Sequence, residues 1–110
     1  MNWIEFKDEA GLEAIKQQSA ITPQVIFKHS TRCSISTMAK ARLERADQPI
    51  GLDFNYLDLI ANRNISSKIA EDFNVQHESP QILIIKNGTC VYDESHNSIS
   101  MDDILEAVSQ

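Results

Sequence analysis

Two hydrophobic periods alternate along the chain. Segments in which apolar and polar residues alternate, or in which apolar residues form a short run, predict strands, whereas recurrence every three or four residues predicts helices. The strands expected on this basis are Trp3–Phe6, Gln24–His29, Leu52–Leu59, Gln81–Lys86 and Thr89–Asp93. Helical spacing is found over Asp8–Gln18 and in three apolar stripes: Ile35, Met38, Ala39, Leu43 and Ala46; Ile65, Ile69 and Phe73; Ile104, Leu105 and Val108. The predicted order of elements is β-α-β-α-β-α-β-β-α.

Local signals set the element boundaries and the strand directions. Asn74 is placed to end the third helix, Asn87-Gly88 is a strong hairpin signal, and Ser100 with Asp103 resembles a capping box ahead of the last helix. Strands that are joined through helices pair in parallel, whereas a hairpin makes its two strands antiparallel. The sequence therefore predicts one α/β domain over residues 1–110, with a mixed central β-sheet and helices on both of its faces.

The composition is that of an ordinary globular protein with one core. The 110 residues are 42% hydrophobic and 24% charged. A net charge of −6 with scattered Lys and Arg argues against a nucleic-acid partner, because such a surface needs concentrated basic residues. The N-terminus lacks the pattern of a signal peptide, and the longest apolar run, Ile82–Ile85, is far shorter than the roughly 20 residues that cross a bilayer. We expect a cytoplasmic protein without a membrane partner, acting as a monomer.

The two cysteines, Cys33 and Cys90, are far apart in the sequence. Two thiols make neither a disulfide framework nor a four-ligand zinc site, and the three histidines do not fall at metal-ligand spacings, so no metal cofactor is expected. In a reducing cytosol both thiols start reduced. Cys90 directly follows the hairpin turn, where a small strand residue is the expected role.

Cys33 lies at the junction between a buried strand and the next helix. The strand ends at His29, a polar turn follows, and Cys33 begins the helical pattern. Unpaired N–H groups and the positive end of the helix dipole favour a thiolate there, and the neighbouring Arg32 adds positive charge. Hydroxyls of Ser30 and Thr31 are suited to capping the helix. The sequence therefore predicts Cys33 as the nucleophile of thiol–disulfide exchange.

Ser36 stands three residues after Cys33, where a dithiol oxidoreductase has its resolving cysteine. A serine can donate a hydrogen bond to the Cys33 thiolate but cannot form a disulfide with it. We therefore expect a cycle that uses one cysteine, in which a second, free thiol must release whatever Cys33 has accepted.

A third candidate element is Ser79-Pro80, directly before a predicted central strand. Proline is awkward at that position unless it serves the local geometry. A cis bond would aim the backbone of Ser79 at the Cys33 sulfur, where it could pair with an extended substrate; the alternative is an ordinary loop proline. His96, ahead of the last helix, is also placed near the site, whereas His29 and His77 are expected to be structural.

These residues together resemble the thioredoxin superfamily and, more closely, the YtxJ-type family of monothiol bacilliredoxins. The resemblance covers the Trp3 segment, the block Lys28-His29-Ser30-Thr31-Arg32-Cys33-Ser34-Ile35-Ser36, the block His77-Glu78-Ser79-Pro80-Gln81, and Ser95-His96. It implies a thioredoxin-like fold and the removal of bacillithiol from S-bacillithiolated client proteins at Cys33, with bacillithiol as co-substrate.

The residues around Cys33 and Pro80 are also expected to bind the substrate. Thr31 and Ser34 flank the active segment, and with Ser79, Pro80 and His96 they are expected to contact the substrate. The usual family motif is Thr-Cys-Pro-Ile-Ser, so this chain departs from it in having Arg32 before the cysteine and Ser34 in place of proline.

Two alternatives to this function remain open at the level of the sequence. One is a glutaredoxin-like monothiol protein that uses glutathione or holds an iron–sulfur cluster. Cluster-binding members typically carry Cys-Gly-Phe-Ser, and the bulkier Ser34 argues against a shared cluster. The other is a non-catalytic thioredoxin-fold binding or stress-response module, in which Cys33 is an inert capping or core residue.

Overall fold

The computed structural model describes residues 1–110 and confirms the predicted order of elements, with one short 3-10 turn added at His96–Ser98. The elements are β1 (Trp3–Glu5), α1 (Glu9–Gln18), β2 (Gln24–His29), α2 (Ser34–Arg45), β3 (Asp53–Asp58), α3 (Arg63–Phe73), β4 (Gln81–Lys86), β5 (Thr89–Ser95) and α4 (Met101–Val108).

The predicted end signals act as expected. Asn74 ends α3 in the left-handed conformation, with φ 53° and ψ 49°. The Ser100 hydroxyl begins α4 by accepting a hydrogen bond from the N–H of Asp103. β5 is two residues longer than predicted, because Ser95 still pairs with Gln81 at the start of β4. The polar residues at this end of β5 carry no hydrophobic signal, so only the pairing reveals the extra length.

The five strands form one mixed sheet in the order β1-β3-β2-β4-β5. β1, β3 and β2 are parallel, β4 runs antiparallel to β2, and β5 runs antiparallel to β4. The last residues of β2 and β3, His29 and Asp58, are paired, as are Lys28 and Gln81 at the start of β4. The loops after β2, β3 and β5 and the loop before β4 therefore meet at one edge of the sheet, which we call the carboxyl edge.

Helices cover both faces of the sheet, as predicted. Every residue of β2 is buried, as expected of a central strand with both faces covered. Val25 and Phe27 face a cluster that includes α2 and α4 residues, and Ile26 faces a second cluster that includes α1 and α3 residues. None of the helices is long and apolar enough to cross a bilayer.

The predicted apolar stripe of α2 is partly wrong. Ile35 and Met38 are 38% and 59% exposed, whereas Ser36, Ala39 and Leu43 are buried. The helix turns its small residues toward the sheet, and the buried Ser36 hydroxyl finds polar partners there. Because Ser36 occupies a buried position on this face, the pattern of hydrophobic residues does not reveal which face of α2 is packed.

Candidate active site

Cys33 is the N-cap residue of α2 and is partly exposed. Its backbone is extended, with φ −109° and ψ 122°, and its N–H donates to the carbonyl of Ser30 at 3.2 Å. The N–H groups of the next three residues, Ser34, Ile35 and Ser36, make no hydrogen bond within the protein. The sulfur is thus held where a helix presents its partial positive charge.

The expected capping by hydroxyls of the preceding turn is wrong. No side chain caps α2, and neither Ser30 nor Thr31 places its hydroxyl on a helix N–H. The helix begins two residues later than a Thr31 cap would require and three later than a Ser30 cap would, so Cys33 itself takes the N-cap position. An uncapped helix end leaves its positive potential uncompensated by side-chain oxygen.

Ser36 does not form the predicted hydrogen bond to Cys33. Its side chain is completely buried, its oxygen lies 2.5 Å from Nδ1 of His29, and it accepts the N–H of Ser30 at 3.0 Å. The helical face that carries Ser36 turns inward, so the hydroxyl meets the end of β2 and not the sulfur. Ser36 therefore ties the first turn of α2 to the residues just before the cysteine.

His29 forms the other half of this contact. Its ring stacks on Phe27 at 5.7 Å between centroids and lies 5.5 Å from the ring of Tyr56. Burial, reinforced by the charge of Lys40, lowers the pKa of His29, so the ring is neutral at pH 7. The Ser36 oxygen accepts the N–H of Ser30, and its hydroxyl hydrogen is donated to Nδ1 of the neutral His29 ring. This direction is assigned from the hydrogen-bond partners.

The exposed turn around the cysteine consists of Thr31, Arg32 and Ser34. The Arg32 guanidinium forms no ion pair, so its charge is not neutralised within the protein. The structure places these three residues beside Cys33 at the carboxyl edge, and their contacts with a substrate stay predictions.

The Ser79-Pro80 bond is cis, as predicted. The loop that precedes it is held by Gln81, whose amide donates to the carbonyl of Gln76 at 3.0 Å and accepts the N–H of Glu78 at 3.4 Å. The N–H and carbonyl of Ser79 make no hydrogen bond within the protein. They are therefore available to an extended chain at the carboxyl edge.

His96 is brought to the same loop through its backbone. Its N–H donates to the carbonyl of Pro80 at 3.0 Å, its φ is 57°, and its side chain is exposed. Arg42 of α2 holds the following turn by donating to the carbonyl of Ile99 at 3.1 and 3.3 Å. The predicted site residues thus converge at the carboxyl edge, although the role of the His96 side chain stays a prediction.

Cys90 lies at the opposite edge of the sheet. It pairs with Ile85, which pairs with Gln24 at the start of β2, whereas Cys33 follows the end of β2. At about 3.3 Å per residue, β2 alone separates the two edges by roughly 17 Å, and a disulfide needs Cα atoms within about 7 Å. Burial also raises the pKa of the Cys90 thiol. Its expected role as a strand residue is confirmed, and Cys33 has no second thiol within reach.

Sequence reasoning missed a buried polar contact on the other face of β2. The Lys28 side chain is 0% exposed, and its Nζ lies 2.9 Å from Nδ1 of His77, which is also 3.3 Å from the hydroxyl of Ser66. Desolvation lowers the pKa of Lys28 to about 8 and is the main cause of the lowered pKa of His77. The sequence signal for this contact was the presence of a lysine inside a strand that is covered on both faces. Its contact gives His77 the structural role that was expected.

The comparison with known families adds to this geometry. The family model described as "Monothiol bacilliredoxin BrxC" matches residues 4–104. The chain belongs to the monothiol bacilliredoxin family. The resemblance found in the motifs around Cys33 and Pro80 is therefore confirmed. Membership of this family identifies the chain as a thioredoxin-like redox protein.

Solved structures share the fold. A structure whose description proposes an oxidoreductase with a thioredoxin fold is 28% identical, with 96% of this chain and 93% of that chain covered and a TM-score of 0.82. The short form of thioredoxin f from spinach chloroplast is 18% identical, with 97% and 90% covered and a TM-score of 0.72. The thioredoxin of Malassezia sympodialis is 15% identical, with 99% and 90% covered and a TM-score of 0.77. The two thioredoxins show the fold alone, and the thioredoxin-like fold predicted for this bacilliredoxin is confirmed.

Proposed function

We propose that this protein removes bacillithiol from S-bacillithiolated client proteins by thiol–disulfide exchange at Cys33. The observation that carries the proposal is the position of Cys33 as the N-cap of α2, beside three N–H groups without a partner in the protein. Such a helix end stabilises a thiolate, and a thiolate is the species that attacks a disulfide.

The exchange takes two steps. The Cys33 thiolate first attacks the bacillithiol sulfur of the client mixed disulfide. A new S–S bond joins bacillithiol to Cys33, the old S–S bond breaks, and the client cysteine leaves as a thiolate that takes up a proton from water. The thiolate of a free bacillithiol then attacks the bacillithiol sulfur held on Cys33. This step forms bacillithiol disulfide and returns Cys33 to its thiolate form, so the client is reduced and bacillithiol is oxidised.

The distribution of sulfur in the fold supports an external thiol for the second step. Ser36 occupies the position of a resolving cysteine and cannot form a disulfide, and Cys90 is at the opposite edge of the sheet. A mixed disulfide on Cys33 therefore has no internal thiol to displace it. Bacillithiol acts in this cycle as a co-substrate and not as a bound cofactor.

The client is held by backbone pairing beside the nucleophile. Ser79 offers an unpaired N–H and carbonyl next to β4, and an extended client segment can pair with such groups as an added strand. Thr31, Ser34 and His96 are exposed around this position and would contact the client or the bacillithiol. The unpaired charge of Arg32 would assist the Cys33 thiolate.

The test uses a purified client protein that carries bacillithiol on a single cysteine. Wild type and Cys90→Ala should release the client thiol and gain one bacillithiol, located on Cys33 by mass spectrometry. Cys33→Ala should do neither, and client release by that variant at the wild-type rate would contradict the proposal. A parallel reaction with the same client carrying glutathione measures thiol preference, for which we expect faster release of bacillithiol. A wild-type protein that gains no adduct from either client would be a binding module.

A further inference from the structure

Lys28 is a buried cation without a negative partner. Its side chain is completely buried in the central strand of the sheet. No carboxylate oxygen lies within ion-pair distance of its Nζ, and His77 is its one hydrogen-bond partner. Since buried charges are normally paired, this position calls for a negative group nearby.

Above this cation lies an open cavity of about 220 Å³ at the carboxyl edge. His77 connects the two, because it lines the cavity and also contacts Lys28. The ammonium can only donate, so it donates to Nδ1 of a neutral His77 ring and the ring proton is on Nε2. The buried positive charge thus reaches the cavity through one imidazole.

The other polar groups of the cavity are donors as well. Arg63, Ser66 and Ser67 line it, and no acidic side chain does. The Arg63 guanidinium forms neither an ion pair nor a hydrogen bond within the protein, yet its charge contributes to the lowered pKa of His77. Glu78 is the one acidic group whose charge acts on both Lys28 and His77, so cations outnumber anions at this position.

This cavity and the candidate active site share the carboxyl edge, the cavity at α3 on one face of the sheet and Cys33 at the start of α2 on the other. The cavity residue Leu59 donates its N–H to the carbonyl of His29 at 3.0 Å, four residues before Cys33. His77 is three residues before Pro80. Both loops that carry the exchange chemistry therefore also contribute to the walls or the support of the cavity.

We propose that the Arg63–His77 cavity binds a carboxylate of the low-molecular-weight thiol that exchanges with Cys33. A guanidinium recognises a carboxylate through two parallel hydrogen bonds, and the Ser67 hydroxyl and the His77 Nε2–H are further donors. The cavity is large enough for a carboxylate together with water, which occupies about 30 Å³ per molecule. The inference rests on the proposed function for the identity of the thiol, whereas the carboxylate site itself rests on the cavity.

The first test measures thiol selectivity. Cys33 is loaded with a mixed disulfide, and its release is timed with bacillithiol, which carries carboxylates, and with β-mercaptoethanol, which carries none. The ratio of the two second-order rate constants should fall by about tenfold in Arg63→Gln, as expected for the loss of a charge-assisted contact. The ratio should not change in Arg45→Gln, which removes an exposed cation at the C-terminal end of α2, on the opposite face of the sheet from α3. An unchanged ratio in Arg63→Gln would overturn the proposal.

The second test measures binding without chemistry. The wild-type protein is titrated with succinate at constant ionic strength while the NMR signals of the His77 ring are followed. We expect saturable shifts, with binding weakened by about tenfold in Arg63→Gln and unchanged in Arg45→Gln. No saturable shift in the wild type would overturn the carboxylate site.

The two tests separate the two proposals. Succinate binding by a protein that does not exchange bacillithiol would refute the proposed function and leave the carboxylate site standing. Bacillithiol exchange by a protein that does not bind succinate would refute the carboxylate site and leave the proposed function standing.

Discussion

The Ser36 hydroxyl lies 2.5 Å from Nδ1 of His29 and makes no hydrogen bond to the Cys33 sulfur. It also accepts the N–H of Ser30, so one buried side chain joins the end of β2 to the first turn of α2. The residue three positions after Cys33 therefore positions the segment that carries this cysteine.

Replacing Ser36 by alanine should reduce stability. Ser36→Ala leaves the His29 ring nitrogen and the Ser30 N–H without their partner in a buried place, which costs about 1–3 kcal/mol. Urea denaturation measures this loss. Ser34→Ala, an exposed change on the same helix turn, should cost less than about 0.5 kcal/mol, and equal losses in the two variants would contradict the contact.

Replacing Ser36 by cysteine should convert the cycle to one with two thiols. Cα atoms three residues apart on a helix are about 5 Å from each other, which is within the roughly 4.4–6.8 Å that a disulfide spans. The introduced thiol should attack Cys33 in its mixed disulfide and expel bacillithiol. Intact-mass measurement should then show an internal disulfide and no accumulated adduct.

The control for this conversion is Ser109→Cys, which adds an exposed thiol at the far end of α4. That variant should accumulate the Cys33 adduct as the wild type does. An adduct of wild-type abundance in Ser36→Cys would show that the two positions cannot react.

Ser34→Pro, which introduces the proline that is usual in the family, should stabilise the fold and lower the reaction rate of the Cys33 thiol. Ser34 is the first residue of α2, its N–H is unpaired, and the extended conformation of Cys33 suits a residue before proline. Ser34→Pro should add about 0.4–1 kcal/mol through the unfolded state. It also removes one free N–H, so iodoacetamide should react with Cys33 at pH 7 about two- to fivefold more slowly.

Ser34→Ala is the matched control for this change, because it removes the same hydroxyl and keeps the N–H. Its alkylation rate should equal that of the wild type. If Ser34→Ala and Ser34→Pro react at the same rate, the free N–H groups do not stabilise the thiolate.

The buried Lys28 should give stability a distinct pH dependence. Burial lowers its pKa from 10.5 to about 8 in the folded state, so between pH 8 and pH 10.5 the unfolded chain binds more protons than the folded chain. Stability contributed by this group therefore rises with pH in that window, by about 2 kcal/mol between pH 8 and pH 10. The reference is Lys28→Met, which keeps the length of the side chain and cannot titrate there.

The measurement is the free energy of unfolding of both proteins at several pH values. The difference between wild type and Lys28→Met should shift in favour of the wild type as the pH rises from 8 to 10. A constant difference would mean that Lys28 keeps an ordinary pKa in the folded protein. Comparing the two proteins removes the contributions of the tyrosines and of Cys90, which they share.

Local chemistry decides the order of the elements, the ends of β2 and β4 and the hairpin, so these features could be predicted. Asn74 ends α3 through its own left-handed conformation, and Ser100 caps α4 across three residues. The junction of β2 with the helix that Cys33 begins is also local. For the same reason Cys33 could be singled out from the sequence as the candidate nucleophile.

The partners of buried polar groups could not be predicted in this way. Ser36 reaches His29 because α2 turns its small residues toward the sheet, and this rotation depends on packing against both β2 and α4. Lys28 and His77 are 49 residues apart and meet because the loop before β4 returns along β2. The period and spacing of hydrophobic residues along the chain carry no information on contacts between residues that are distant in sequence.

The sequence by itself determined the local elements, the position of Cys33 at a strand–helix junction and the family to which the chain belongs. Only the tertiary structure decided that Cys90 is out of reach, that Ser36 faces His29, and that a buried cation lies behind the Arg63–His77 cavity. The physical reason is that caps, turns and helix ends are governed by neighbouring residues. Reach, burial and charge compensation are governed by the elements that packing brings together.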